Sequence, residues 1–327
     1  MFNYLYRKST LQIILAVALA AFALARLVLA PAIFHTPHAP GLLYPILYNF
    51  LFPSTVGFRI AFGIVIALQI FIFQHFISKH NFLDSGSLMP TIWMLFFILS
   101  TTDFPSFSQP LITNFLILIL LLLNVNSLNS SSEDNRRHVF WSGFIVELAT
   151  LFEPAAILLF FIVCAALVTG KTNFMKRLCL ALSGLLLPFI YLISFYYLTD
   201  QTQLLQDYFS QQNFFEFILI NCKPKIFVIF CIIFLLSILY ILPTLKLHYD
   251  NRIILLRKKF LLVNVMFLVI LTIILFGNHN FMEGLTYLTI PFSIYFSMLC
   301  QLRRNKITAD IVMTAVTTII VLIKVLA

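Results

Sequence analysis

The sequence predicts an all-α, polytopic transmembrane bundle of about eleven helices, forming one domain over residues 1–327. Composition, apolar run length and the placement of basic residues predict it. Hydrophobic residues make up 61% of the chain and charged residues 10%, whereas a soluble chain carries about 25% charged residues. Phe alone supplies 37 of the 327 residues. No soluble core of this size hides so much apolar surface, so the expected solvent is lipid.

The apolar runs fall at 11–32, 56–78, 88–101, 109–127, 139–152, 154–170, 178–198, 224–243, 259–276, 284–301 and 308–326. A helix needs about 20 residues to cross ~30 Å of hydrocarbon at ~1.5 Å per residue. The first run, "LQIILAVALAAFALARLVLAPA", is too long for a signal-peptide core and holds Arg26, so it reads as a retained helix. The runs at 88–101, 139–152 and 154–170 are short, which fits tilted, sunken or re-entrant helices.

Basic residues orient the bundle. With a cytoplasmic N-terminus and eleven crossings, sixteen of the 21 Lys and Arg share the cytoplasmic side. They are Arg7 and Lys8; Lys79; Arg136 and Arg137; Lys171, Lys176 and Arg177; Lys246, Arg252, Arg257, Lys258 and Lys259; and Arg303, Arg304 and Lys306. The far side keeps Lys223, Lys225 and Lys324, while Arg26 and Arg59 lie inside runs. Such asymmetry is the positive-inside pattern of a multi-pass membrane protein, here with the C-terminus on the far side. It also accounts for the net charge of +9. Without an aromatic-interleaved basic groove, nucleic acid is not an expected partner; anionic lipid headgroups are.

The same asymmetry decides how 139–170 is read. As one crossing it would swap the side of every later basic group. Glu153 and Pro154 therefore mark a tight turn between two short helices. Proline suits a first helical turn, and an acid just before it suits the helix N-terminus as a cap. "NSSSEDNRRH", 129–138, reads as a short polar cytoplasmic loop.

Four outward segments follow, near 33–55, 102–108, 199–223 and 277–283. The first and third read as short interfacial helices, with Tyr44 and Tyr48 at headgroup level. Asp103 lies in the second, and His279 and Glu283 in the fourth. Arg26 and Arg59 both fall about 5–8 Å inside the outer boundary. An arginine pair there could grip a lipid phosphate through bidentate hydrogen bonds, or pair with acids and headgroups. Glu147 lies about 12 Å from the cytoplasmic end, where its carboxylate must be neutral or paired. Gln69 and Asn114 are its expected partners, and a proton or cation path is the functional alternative.

Other chemistry is not signalled. The five cysteines form no CxxC and read as small buried hydrophobes. His35 and His38 have a spacing a metal could use, but lie in a Pro-rich loop without an adjacent acid. No phosphate loop, GxSxG or HExxH occurs, so no cofactor is expected. With nine glycines and no GxxxG, the helices are expected to pack through Ala, Ser, Thr and aromatic surfaces.

Three stretches then suggest a family. They are "HAPGLLYPILYNFLF" after the first helix, "SGFIVELATLFEPAAILLFFIVCAALV" as a pair of short helices, and "KRLCLALSGLLLPFIYLISFYYL" after a basic turn. This order resembles the GT-C class of integral-membrane glycosyltransferases, which use polyprenyl-phosphate sugars; it covers roughly residues 11–200. The chain is also similar to a small family of bacterial inner-membrane proteins with that layout. The resemblance implies a GT-C-like fold and a polyprenyl-phosphate lipid partner. On a lipid-binding reading the candidate ligand-binding residues are Arg26, Arg59, Tyr44, Tyr48, Glu153 and His38; a catalytic carboxylate would have to come from Asp103, Glu153 or Glu283, with Asp103 the best base. One departure matters: residues 33–55 hold no Asp or Glu, where the class carries an acid. Three readings stay open. They are a non-catalytic, lipid-binding component of a cell-envelope assembly with protein partners; a lipid-linked-sugar glycosyltransferase; and a small-solute or proton-coupled transporter using Glu147.

Overall fold

A computed structural model describes residues 9–29, 42–43, 55–80, 82, 87–101, 109–129, 132–170, 174–200, 202, 254–276 and 284–301. These residues are helical throughout their regular parts, and no strand occurs among them. The helices are α1 (Ser9–Leu29), α2 (Thr55–His80), α3 (Met89–Thr101), α4 (Gln109–Asn129) and α5 (Ser132–Phe152). A 3₁₀ segment, Pro154–Leu159, leads into α6 (Phe160–Thr169), and α7 follows (Phe174–Leu198). After α8 (Ile254–Phe276), a second 3₁₀ segment, Leu285–Leu288, leads into α9 (Thr289–Gln301). The expected helices at 224–243 and 308–326 lie outside the described residues.

Three of these helices contain stretches long and apolar enough to cross a bilayer: Arg59–His80, Gln109–Leu128 and Phe174–Leu198. Shorter apolar helices cover Gln12–Ala23, Met89–Thr101, Pro154–Thr169 and Leu285–Met298. The two short runs beginning at 154 and 285 share a device. Each opens in 3₁₀ form, which rises about 2.0 Å per residue against 1.5 Å for an α-helix. The 16 residues from Pro154 to Thr169 thereby reach about 27 Å instead of about 24 Å.

Helices that follow one another in the chain run in opposite directions, and specific contacts show which ends lie together. Gln109 at the start of α4 donates to the Phe152 carbonyl at the end of α5, at 2.7 Å. Lys258 at the start of α8 donates to the Thr169 carbonyl at the end of α6, at 2.7 Å. Lys259 does the same to the His80 carbonyl at the end of α2, at 3.1 Å. The Leu88 amide, just before α3, donates to Gln12 near the start of α1, at 2.9 Å. Along α3 and α9, Trp93 meets Phe296 and Phe97 meets Phe292, so those two helices are antiparallel. Leu151 packs with Leu192 and Tyr196, placing the ends of α5 and α7 together.

One end of the bundle therefore carries Lys79, Arg136, Arg137, Lys176, Arg177 and the 257–259 basic run. The opposite, far end carries the 153–154 junction. The chain does reverse there: α5 climbs from the basic end and α6 returns to it, as the charge asymmetry required. The basic N-terminus of α8 looks unfavourable against its own dipole. Its two lysines instead satisfy the last carbonyls of α2 and α6, where positive charge is favoured.

Two expectations are corrected. The polar stretch read as a loop at 129–138 is helical from Ser132, so α5 is 21 residues long. Glu133 and Asp134 fall in its first turn, where acids complement the dipole. Glycine packing, expected to be absent, holds α5 against α7. A Cβ added at Gly143 would lie 2.0 Å from the Ala181 carbonyl oxygen. One added at Gly184 would lie 2.2 Å from that of Phe140. The two glycines face opposite partners, so neither helix alone carries a GxxxG signal.

The main core runs through all layers. A chain of rings, Trp93, Phe97, Phe296 and Phe292, ties α3 to α9, and Phe267 extends it to α8.

Candidate functional site

Polar chemistry gathers at the far end. The junction after α5 turns through Glu153, whose backbone is extended at φ −142°, ψ 113°. Its amide closes α5 on the Ala149 carbonyl at 2.8 Å, and its carbonyl accepts from Ala156 at 2.9 Å. Pro154 follows in the first 3₁₀ turn, where its missing N–H costs nothing. The Glu153 side chain makes no capping hydrogen bond, contrary to the sequence expectation. It accepts instead from the Tyr287 hydroxyl in the second 3₁₀ segment. Both residues are buried. A buried carboxylate is costly unless a donor meets it, and the phenol is that donor.

Beside this pair runs a polar seam. The Thr289 hydroxyl donates to the Thr286 carbonyl at 2.8 Å and accepts from Asn114 of α4 at 3.0 Å. Gln69 of α2 donates to the Leu111 carbonyl at 2.9 Å. The starts of α4, α6 and α9 are thus cross-linked through side chains, each within about two turns of the far end.

The expected site residues sort as follows. Glu153 is placed in the seam. Arg26 falls in the last turn of α1 and Arg59 in the second turn of α2, so both belong to the far end; Arg59 is half-buried. Tyr44, Tyr48, His38 and Asp103 lie outside the described residues. Glu147 is buried in α5. It shares a face with Gly143 and Leu151, four residues either side, and both pack against α7. Gln69 and Asn114 do not meet it, being bound to Leu111 and Thr289. Among the described residues, no group of three His, Cys, Asp or Glu could hold a metal.

Sequence reading missed Tyr287, Thr289 and Gln109. A tyrosine within an apolar run does signal a need for a hydrogen-bond partner. Nothing in the local sequence says that this partner lies 134 positions earlier.

The fold and the seam define an all-helical bundle with bilayer-length apolar helices, basic at one end, and a buried acid–phenol pair at the other. The chain belongs to a family of unknown function, DUF6427, which matches residues 48–326. No curated protein and no solved structure matches it.

Proposed function

We propose that this chain is a multi-pass bacterial inner-membrane protein of GT-C-like architecture, with about eleven crossings. In this reading it is a non-catalytic, lipid-phosphate-binding component of a cell-envelope assembly. The basic end faces the cytoplasm and the far end the periplasm, following the positive-inside rule.

One observation carries the reading. The far end holds two arginines, Arg26 and Arg59, while its junction acid, Glu153, is buried and bonded to Tyr287. An acid held this way serves as structure, not as a base presented to substrate. Two guanidinium groups near a membrane boundary suit a phosphate headgroup, which they can bind bidentately. The order of elements supports the GT-C-like part: a first helix, then a short hairpin at 153–154, then a basic turn into α7.

Mass spectrometry of lipids co-purified with the full chain tests the binding role. A phosphate-bearing lipid, polyprenyl phosphate above all, is expected with the wild type and depleted in an Arg26→Ala/Arg59→Ala variant. Identical lipid profiles remove the role. Sugar transfer from a polyprenyl-phosphate donor, abolished by Asp103→Asn, would replace this reading with the enzymatic one.

A further inference from the structure

Buried oxygen atoms without a donor among the described residues occur on one turn of α4 and on the α2 side chain bonded to that turn. Gln69 reaches this turn through Nε2, which donates to the Leu111 carbonyl at 2.9 Å. Three residues on, Asn114 donates through Nδ2 to the Thr289 hydroxyl at 3.0 Å. That hydroxyl has committed its own proton to the Thr286 carbonyl at 2.8 Å. Chemistry therefore orients both amides, because a carbonyl only accepts and a hydroxyl with its proton engaged can only accept.

The opposite ends of the two amides, Gln69 Oε1 and Asn114 Oδ1, have no hydrogen-bond partner among the described residues. The same holds for Thr113 Oγ1. All three residues are 0% exposed. Thr113 also lacks the bond to the carbonyl four residues back that Thr101 and Thr150 make on their own helices. Thr113 and Asn114 are consecutive on α4, and the Gln69 side chain of α2 is bonded to the same turn at Leu111, in apolar surroundings where an unmet acceptor is costly.

The set is two amide oxygens and a hydroxyl, without imidazole or sulfur. Such hard neutral oxygens suit an alkali or alkaline-earth cation over a transition metal. We propose that this turn binds a monovalent cation of the Na⁺ type through Gln69 Oε1, Thr113 Oγ1 and Asn114 Oδ1. The same seam holds an acid: Glu153 is bonded to Tyr287, two residues before Thr289. The inference stands apart from the lipid-binding reading, since it uses neither arginine.

The experiment is thermal unfolding of the purified full chain in detergent, titrated with NaCl, KCl or N-methyl-D-glucamine chloride at constant ionic strength. Na⁺ is expected to raise the midpoint of the wild type saturably, and N-methyl-D-glucamine to leave it unchanged. Thr113→Val, an isosteric change that removes one ligand and no hydrogen bond within the protein, is expected to raise the half-saturating Na⁺ concentration about tenfold. Asn114→Leu and Gln69→Leu are expected to abolish the Na⁺ dependence. Equal midpoints for the wild type in Na⁺ and N-methyl-D-glucamine would overturn the proposal and assign the acceptors to buried water. Should a leucine variant fail to fold, the Thr113→Val titration decides: a half-saturation unchanged from wild type also overturns it.

Discussion

Glu153 and Tyr287 show how one hydrogen bond can organise an end of this molecule. The acid terminates α5, the phenol belongs to the 3₁₀ segment before α9, and both are buried. Removing either one takes this hydrogen bond from the other, which stays buried. Tyr287→Phe is therefore expected to destabilise the fold by about 1–3 kcal/mol. Glu153→Gln retains an acceptor oxygen and is expected to cost less. Glu153→Ala should cost about as much as Tyr287→Phe, and the double variant little more than either alone, because the pair is coupled. Reversible unfolding in mixed detergent measures all four; strictly additive losses would refute the coupling. At this scale the sequence was half legible. An acid before a proline in an apolar run announces a junction, but the capping role expected of it does not hold. Its side chain instead accepts from a donor across the bundle, and distant partners leave no local signature.

Among the helices, two devices set the packing. The first is the glycine pair between α5 and α7. With Gly143 and Gly184 lacking a Cβ, each backbone seats against the other helix. Any side chain would force the helices apart, since the atoms it would meet are carbonyls that cannot swing aside. Gly143→Ala and Gly184→Ala are each expected to lower the unfolding midpoint clearly, with a loss of about 1–3 kcal/mol or more. A variant melting with the wild type would show that the interface adapts. The second device is the pair of 3₁₀ entries at Pro154 and Leu285, which lengthen short apolar runs. Sequence shows that these runs are short. It does not show how they gain reach, because α and 3₁₀ turns share a composition and differ only in what packs around them. The glycines were overlooked for a related reason: each sits alone on its helix, and only the tertiary pairing brings them face to face.

For the whole molecule, the governing feature is its charge axis. Basic residues collect at one end, and the far end holds the Glu153–Tyr287 seam. If the positive-inside rule orients it, accessibility must differ between exposed positions at the two ends. Asp200, exposed after α7, and Arg137, exposed near the start of α5, supply the test. In a cysteine-free background, Asp200→Cys in intact cells is expected to react with a membrane-impermeant maleimide. Arg137→Cys is expected to react only after permeabilisation. The reverse pattern would invert the bundle and place the two arginines at the cytoplasmic side. Glu153 itself is unsuitable for labelling, because it is buried.

By itself, the sequence determined the all-helical class, the positions of the described apolar helices and the reversal at 153–154. These follow from run length, proline and the segregation of Lys and Arg, all of which act through the solvent and need no knowledge of neighbours. Only the tertiary structure decided which buried polar groups meet: Glu153 with Tyr287, Asn114 with Thr289, and Lys258 and Lys259 with the ends of α6 and α2. In an apolar interior each such group must find a partner, and the choice among candidates is made by which helices happen to lie side by side.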